Sequence, residues 1–146
     1  VQVPRDNRSM PRVSAVIETC LYVDDLRRAR RFYVETLGFE SIFDDTRACA
    51  LNVGGRSVLL LFARGQSTES HQAPGGRIPP HDGSGPVHIG FAVNAAELEA
   101  WQARLHERGI AIESSVEWPR GGRSIYFRDP DGHLVEFLTP GVWTIY

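Results

Sequence analysis

Lysine is absent from this 146-residue chain; all 16 of its basic residues are Arg. That absence excludes a Schiff-base lysine, a phosphate-binding P-loop lysine and a lysine general base. Cysteine is scarce. Two residues, Cys20 and Cys49, are too few for a disulfide framework or a zinc knuckle. A reducing cytoplasm is the expected compartment, and no secretory signal opens the sequence. No hydrophobic run approaches the roughly 18 residues that span a membrane. Nor is there an excess of one charge. Sixteen basic against 18 acidic residues give a formal charge of −2, which argues against a nucleic-acid-binding footprint. The expected partner is a small molecule, with no nucleic acid and no membrane.

What is present suits one folded domain, with 42% hydrophobic and 23% charged residues. Residues 1–13 read as an N-terminal tail or an expression remnant and stay outside the fold argument. Residues 14–63 read as a first βαβββ module. A β-rich run over 16–23 ends at Asp24-Asp25, a helix cap. The helix stripe is Leu26, Ala29, Tyr33 and Leu37, and Gly38 stops it. Three strands follow, near 40–43, 47–53 and 57–62, with Gly54-Gly55 as a turn.

Residues 87–146 repeat that order and add a C-terminal tail. Strand 87–93 leads to Asn94 as a cap, then to a helix with Leu98, Trp101 and Leu105 inward, ended by Gly109. Strands near 112–117, 123–128 and 133–138 close the set, the last two joined by the turn Asp129-Pro130-Asp131-Gly132. Glu18 and His88 are 70 residues apart, and Gly38 and Gly109 are 71 apart, so one unit occurs twice. Between the copies, 64–86 holds five Gly and four Pro and reads as a linker or lid. Its His71 and His81 read as solvated rather than ligating. The apolar tail Trp143–Tyr146 is expected to pack on the barrel or on a partner chain.

Strand parity selects candidate functional residues. Glu18, Cys20 and Tyr22 share a face, as do His88 and Gly90, and as do Leu134, Glu136 and Leu138. Leu134 and Leu138 read as inward, so Glu136 does too. A buried carboxylate is costly unless it is hydrogen-bonded, paired or bound to a cation. Without Lys, its partner is Arg120, Arg123 or a metal. Cys20 reads as a small buried hydrophobe or a soft neighbour of that site. Glu18 and His88 fall at equivalent positions of the repeat, which favours a shared site over two isolated core residues.

Four segments carry a resemblance. They are Glu-Thr-Cys-Leu-Tyr-Val-Asp-Asp-Leu at 18–26, Phe-Tyr-Val-Glu-Thr-Leu-Gly-Phe at 32–39, His-Ile-Gly-Phe-Ala-Val at 88–93 and Tyr-Phe-Arg-Asp-Pro-Asp-Gly-His-Leu-Val-Glu-Phe at 126–137. The chain from Val16 onward resembles the vicinal-oxygen-chelate superfamily, of glyoxalase, bleomycin-resistance, extradiol-dioxygenase and fosfomycin-resistance type. The resemblance implies an α+β glyoxalase-like fold. Its two βαβββ modules form open, curled, mixed-sheet half-barrels around a cavity that holds a divalent metal. It implies Glu18, His88 and Glu136 as the metal ligands. The position of a fourth ligand in some members falls on Leu60, which cannot ligate, so the set has open positions. Glu18 departs from the His of the dioxygenases and of many fosfomycin-resistance enzymes. The Lys that the latter use for the substrate phosphonate is impossible here. The carboxylate-rich set suits Mn, Fe, Ni or Zn.

The implied activity is metal-dependent chemistry on a small oxygenated substrate that chelates the metal: a lyase, isomerase, dioxygenase or thiol transferase. Glu136 would also be a catalytic base. Tyr126, ten residues before Glu136, matches the spacing of a substrate-contacting Tyr in several metal-dependent members; otherwise it is a core Tyr. Ser124 shares its face. Arg120 and Arg123 either clamp an anionic substrate or are solvated. Trp118 and Trp143 either wall the pocket or make dimer contacts. The resemblance also implies a homodimer, with Glu18 from one chain and His88 and Glu136 from the other. The alternative is a metal-free small-molecule (drug or antibiotic) binding protein of bleomycin-resistance type. A weaker reading is a structural or regulatory subunit.

Overall fold

The computed structural model describes residues 10–146. The tail expected over 1–13 lies outside the described residues as far as Ser9, and Met10–Val13 are exposed with no regular structure. The first module comprises β1 (Glu18–Val23), α1 (Leu26–Arg31), β2 (Glu40–Asp44), β3 (Ala48–Val53) and β4 (Ser57–Ala63). Between the modules lie β5 (His71–Ala73) and β6 (Gly76–Ile78). The second comprises β7 (His88–Ala92), α2 (Leu98–Glu107), β8 (Ser114–Glu117), β9 (Arg123–Arg128) and β10 (Leu134–Leu138). The sheets have strand orders β1-β4-β3-β2 and β7-β10-β9-β8. In each, the first strand pairs in parallel with the last, and every other pair is antiparallel. The fold is thus α+β, with two open four-stranded mixed sheets, as the resemblance implied.

Local chemistry explains the first helix. Asp25 is extended, and its carboxylate accepts from the Arg28 amide at 3.0 Å, an N-cap. The apolar stripe does not continue as one α-helix. Over Phe32–Thr36 the backbone widens to π-helical geometry, with the Leu37 amide reaching Phe32 O at 3.4 Å. Its terminal carbonyls are capped from the other module. The Arg104 guanidinium of α2 donates to Thr36 O at 2.7 Å and to Glu35 O at 2.8 Å, so carbonyls left by the widened turn are satisfied. Gly38, at φ 79°, then turns the chain away. Asn94 does start the second helical segment, but its side chain makes no cap bond to the backbone; one 3-10 turn, Ala95–Glu97, precedes α2.

One hydrophobic cluster runs through both modules. Leu21, Val23, Leu59 and Leu61 meet Ala29, Tyr33 and Leu37; Ile125, Phe127, Val135 and Phe137 meet Leu98 and Leu105. The halves join at Phe91, whose ring lies 5.1 Å from Phe39 and 6.5 Å from Tyr33. This arrangement corrects the expected facing of β10. Val135 and Phe137 point into the core, and Leu134 and Leu138 are only half-buried on the opposite face. β10 carries apolar residues on both faces, so apolar neighbours do not mark which side is the core.

The segment 64–86 is more ordered than a linker: β5 and β6 form a hairpin with His71 opposite Ile78. The tail packs in part. Val142 is buried and the Tyr146 hydroxyl donates to Val93 O at 2.6 Å, but Trp143 is 69% exposed.

Candidate functional site

The open face of the second sheet gathers three of the expected residues. Glu136 is 8% exposed and lies opposite Tyr126 on β9 and Gly90 on β7. The Tyr126 hydroxyl donates to Glu136 Oε1 at 2.9 Å. His88 Nε2 lies 3.2 Å from Glu136 Oε2. Among the described residues no Arg touches this carboxylate; of the expected partners, Arg120 and Arg123 are replaced by a phenol and an imidazole. Gly90 lies beside this pair: a Cβ there would sit 3.7 Å from Glu136 Oε2, an ordinary contact, and 2.9 Å from the flexible end of Leu138.

The imidazole carries a second constraint. His88 Nδ1 lies 2.9 Å from Leu134 O. A carbonyl only accepts, so Nδ1 carries a proton. In the neutral ring Nε2 is then a bare lone pair aimed at a carboxylate oxygen. Two acceptors at that distance need a proton between them, on either group, or a metal ion. This is the arrangement of a metal-binding His, whose other nitrogen donates to a carbonyl. The donor set therefore fits a divalent metal. Burial, and then the hydrogen bond and charge of Glu136, push the Tyr126 phenol up, so it is a neutral donor at physiological pH.

Glu18 is not brought to this pair. It is exposed on β1 of the other sheet, and no group of three His, Cys, Asp or Glu able to hold a metal occurs among the described residues. It lines a cavity of about 470 Å³ with Cys20, Tyr22, Leu60, Phe62, Ile78 and His81. Cys20, expected to be buried, is exposed there. His81, expected to be solvated, sits 2.6 Å from the Tyr22 hydroxyl through Nδ1 and edge-on to Phe62 at 4.6 Å. Burial, with Cys20 beside it, pushes the Tyr22 phenol up to about 12. Parity marked Tyr22, but nothing local ties it to a His 59 residues away.

The other expected substrate contacts lie apart. Arg120 donates to Val142 O at 3.1 Å. Arg123 shares a strand face with Ile125 and Phe127, opposite that of Tyr126. The Trp118 indole donates to the buried Ser124 hydroxyl at 2.9 Å. The Asp129–His133 turn locks the modules together rather than reacting. Its His133 Nδ1 accepts from the Val87 amide at 3.0 Å, so Nε2 carries the proton and donates to Tyr22 O at 2.9 Å.

This architecture defines a class. The chain belongs to the Glyoxalase/Bleomycin resistance protein/Dioxygenase superfamily, which it matches over residues 15–137. It is similar to the crystal structure of lactoylglutathione lyase from Agrobacterium tumefaciens, at 33% identity and TM-score 0.82, over 91% of this chain and 98% of that one. It is 30% identical to glutathione transferase FosA of Serratia marcescens over 80% of this chain and 74% of that protein. A more local match, 46% identical, to metallothiol transferase FosB of Shouchella clausii covers 36% of this chain and only 38% of that relative.

Proposed function

We propose that the protein is a divalent-metal-dependent enzyme acting on a small oxygenated substrate that binds the metal through its oxygens. One observation carries this reading: His88 Nε2 faces Glu136 Oε2 at 3.2 Å while Nδ1 is held by Leu134 O, the arrangement of a metal-binding His beside a carboxylate ligand. The metal would be held by His88 and Glu136 of one chain and by Glu18 of a second copy. The separation of Glu18 from the other two within one chain supports such a homodimer. Mn, Fe, Ni and Zn all suit a set of one imidazole and two carboxylates.

When bound, the metal supplies Lewis acidity toward substrate oxygens and leaves positions for them. The chain's own residues do the rest. The Leu134 carbonyl fixes the His88 ring. Tyr126 holds Glu136 through Oε1, which leaves Oε2 directed at His88. Glu136 is the carboxylate placed to take a proton from substrate, and the neutral Tyr126 hydroxyl is the donor beside it. Glutathione transfer and lyase activity, named for the relatives, are both reactions of small molecules. Two free thiols, Cys20 and Cys49, and the absence of any helix long and apolar enough to cross a membrane among the described residues support a cytoplasmic setting.

Elemental analysis after reconstitution with each of the four ions tests the reading. The expected result is about one equivalent per chain for at least one ion. Less than about a tenth of an equivalent for all four overturns it. Full occupancy of a small ligand in chelator would then favour a metal-free binding protein.

A further inference from the structure

We propose that the cavity on the open face of the first sheet is a binding pocket for a neutral aromatic or heteroaromatic group carrying a hydroxyl or ring carbonyl, with Tyr22 and His81 setting that specificity. The pocket measures about 470 Å³, within the range of small-molecule sites. Three rings form one end of it. Tyr22 and Phe62 stack at 6.1 Å, Tyr22 and His81 lie 5.8 Å apart, and Phe62 and His81 4.6 Å apart. Leu60 and Ile78 complete the apolar wall, so a flat ring finds both stacking and aliphatic contact.

The polar groups narrow the ligand further. The Tyr22 hydroxyl and His81 Nδ1 share one hydrogen bond of 2.6 Å. Whichever of them donates, the neutral pair has one polar hydrogen and an acceptor left over. A hydroxyl or carbonyl on the ligand matches that pair. Among the described residues no Arg lines the cavity, the nearby Arg47 guanidinium lying over the Phe62 ring at 5.9 Å, and Glu18 places a carboxylate at its far end, which disfavours an anionic group there. Glu18 and Tyr22 are four residues apart on one strand face, about 13 Å along β1. The trough is therefore long enough for a ring at the Tyr22 end with further substituents toward Glu18.

The wall is built rather than incidental. His81 reaches the pocket from the 64–86 segment, and its amide donates to Ser67 O at 2.8 Å. Gly83 packs so closely on Tyr22 that a Cβ there would lie 2.4 Å from the ring. All of these residues belong to one chain; Glu18, at the far end, is also the residue assigned to the shared metal, so that end borders the metal site, whereas the Tyr22–His81 end is built without it.

The test uses the full chain in chelator, titrated with 4-methylphenol, cyclohexanol and 4-methylbenzoate while backbone amide shifts are followed by NMR. The expected result is that 4-methylphenol shifts the amides of Cys20, Tyr22, Phe62 and His81 and binds at least about five-fold more tightly than either other probe. His81→Ala and Tyr22→Phe should each weaken it about five-fold. Tyr22→Phe keeps the ring against Gly83, so it reads out the hydrogen bond even if His81→Ala frees the segment. Shifts confined to other residues, equal affinity for cyclohexanol, or unchanged affinity in Tyr22→Phe overturns the proposal. Because no metal is present, failure here leaves the metal-site reading standing, and failure of that reading leaves this one standing.

Discussion

The Tyr33 hydroxyl, on the first helix, donates to Asp129 Oδ2 in the β9–β10 turn at 2.8 Å, across 96 residues of chain. The same turn accepts the Asp24 amide on Asp131 Oδ1 at 2.8 Å and sends His133 to Tyr22 O. These bonds fasten the second module onto the start of the first. Tyr33 is fully buried, so removing its hydroxyl strands a buried carboxylate oxygen. Tyr33→Phe should cost about 1–3 kcal/mol at neutral pH, read by urea unfolding.

The alkaline limb tests the same bond with a defined sign. Burial first, and then the Asp129 charge, hold the Tyr33 phenol well above its usual value. Its folded-state pKa therefore exceeds its unfolded one. The stability it contributes is complete below about pH 10 and is lost as pH rises from there toward the folded value. The difference between wild type and Tyr33→Phe should narrow above that pH. A constant difference to pH 11 would contradict the assignment.

Gly122 meets the C-terminal tail. A Cβ there would lie 2.2 Å from the Val142 amide nitrogen and 2.4 Å from the Gly141 carbonyl carbon, both backbone. Backbone cannot swing aside as a side chain does. Gly122→Ala should destabilise by about 2–3 kcal/mol in thermal or urea unfolding. Gly90→Ala meets only the flexible end of Leu138 and should cost less, about 1 kcal/mol.

Tyr126 holds one oxygen of Glu136 without facing His88 through a hydrogen bond of its own. Tyr126→Phe should keep metal stoichiometry and weaken metal affinity about 10- to 100-fold, the usual effect of losing a partner behind a ligand. Competition with a chromophoric chelator measures it. Glu136→Ala should lose the metal outright while the fold persists, checked by circular dichroism.

Much of this was legible in the sequence, because the repeat and strand parity are local. The near-constant spacing of Glu18 to His88 and Gly38 to Gly109 gave two βαβββ units, and both sheets show that order. The resemblance put Tyr126 near Glu136 through its ten-residue spacing, and their register pairs them directly. What escaped is set by distant partners. The first helix, widened over Phe32–Thr36, has its last carbonyls capped by Arg104 from the other module. His81 looks solvated among Gly and Pro until Tyr22 and Phe62 are placed beneath it. The core side of β10 is hidden from parity because Leu134 and Leu138 line one face and Val135 and Phe137 the other.

The central claim is a metal site shared by two chains. Glu18→Ala and Glu136→Ala chains, each with a different affinity tag, can be co-expressed and the doubly tagged species isolated. In a mixed dimer one site carries both substitutions and the other carries neither. Shared ligands predict about half a metal equivalent per chain in that species, and near none in either single variant. Recovery of no doubly tagged species, or of a mixed dimer as metal-free as its parents, would contradict the account.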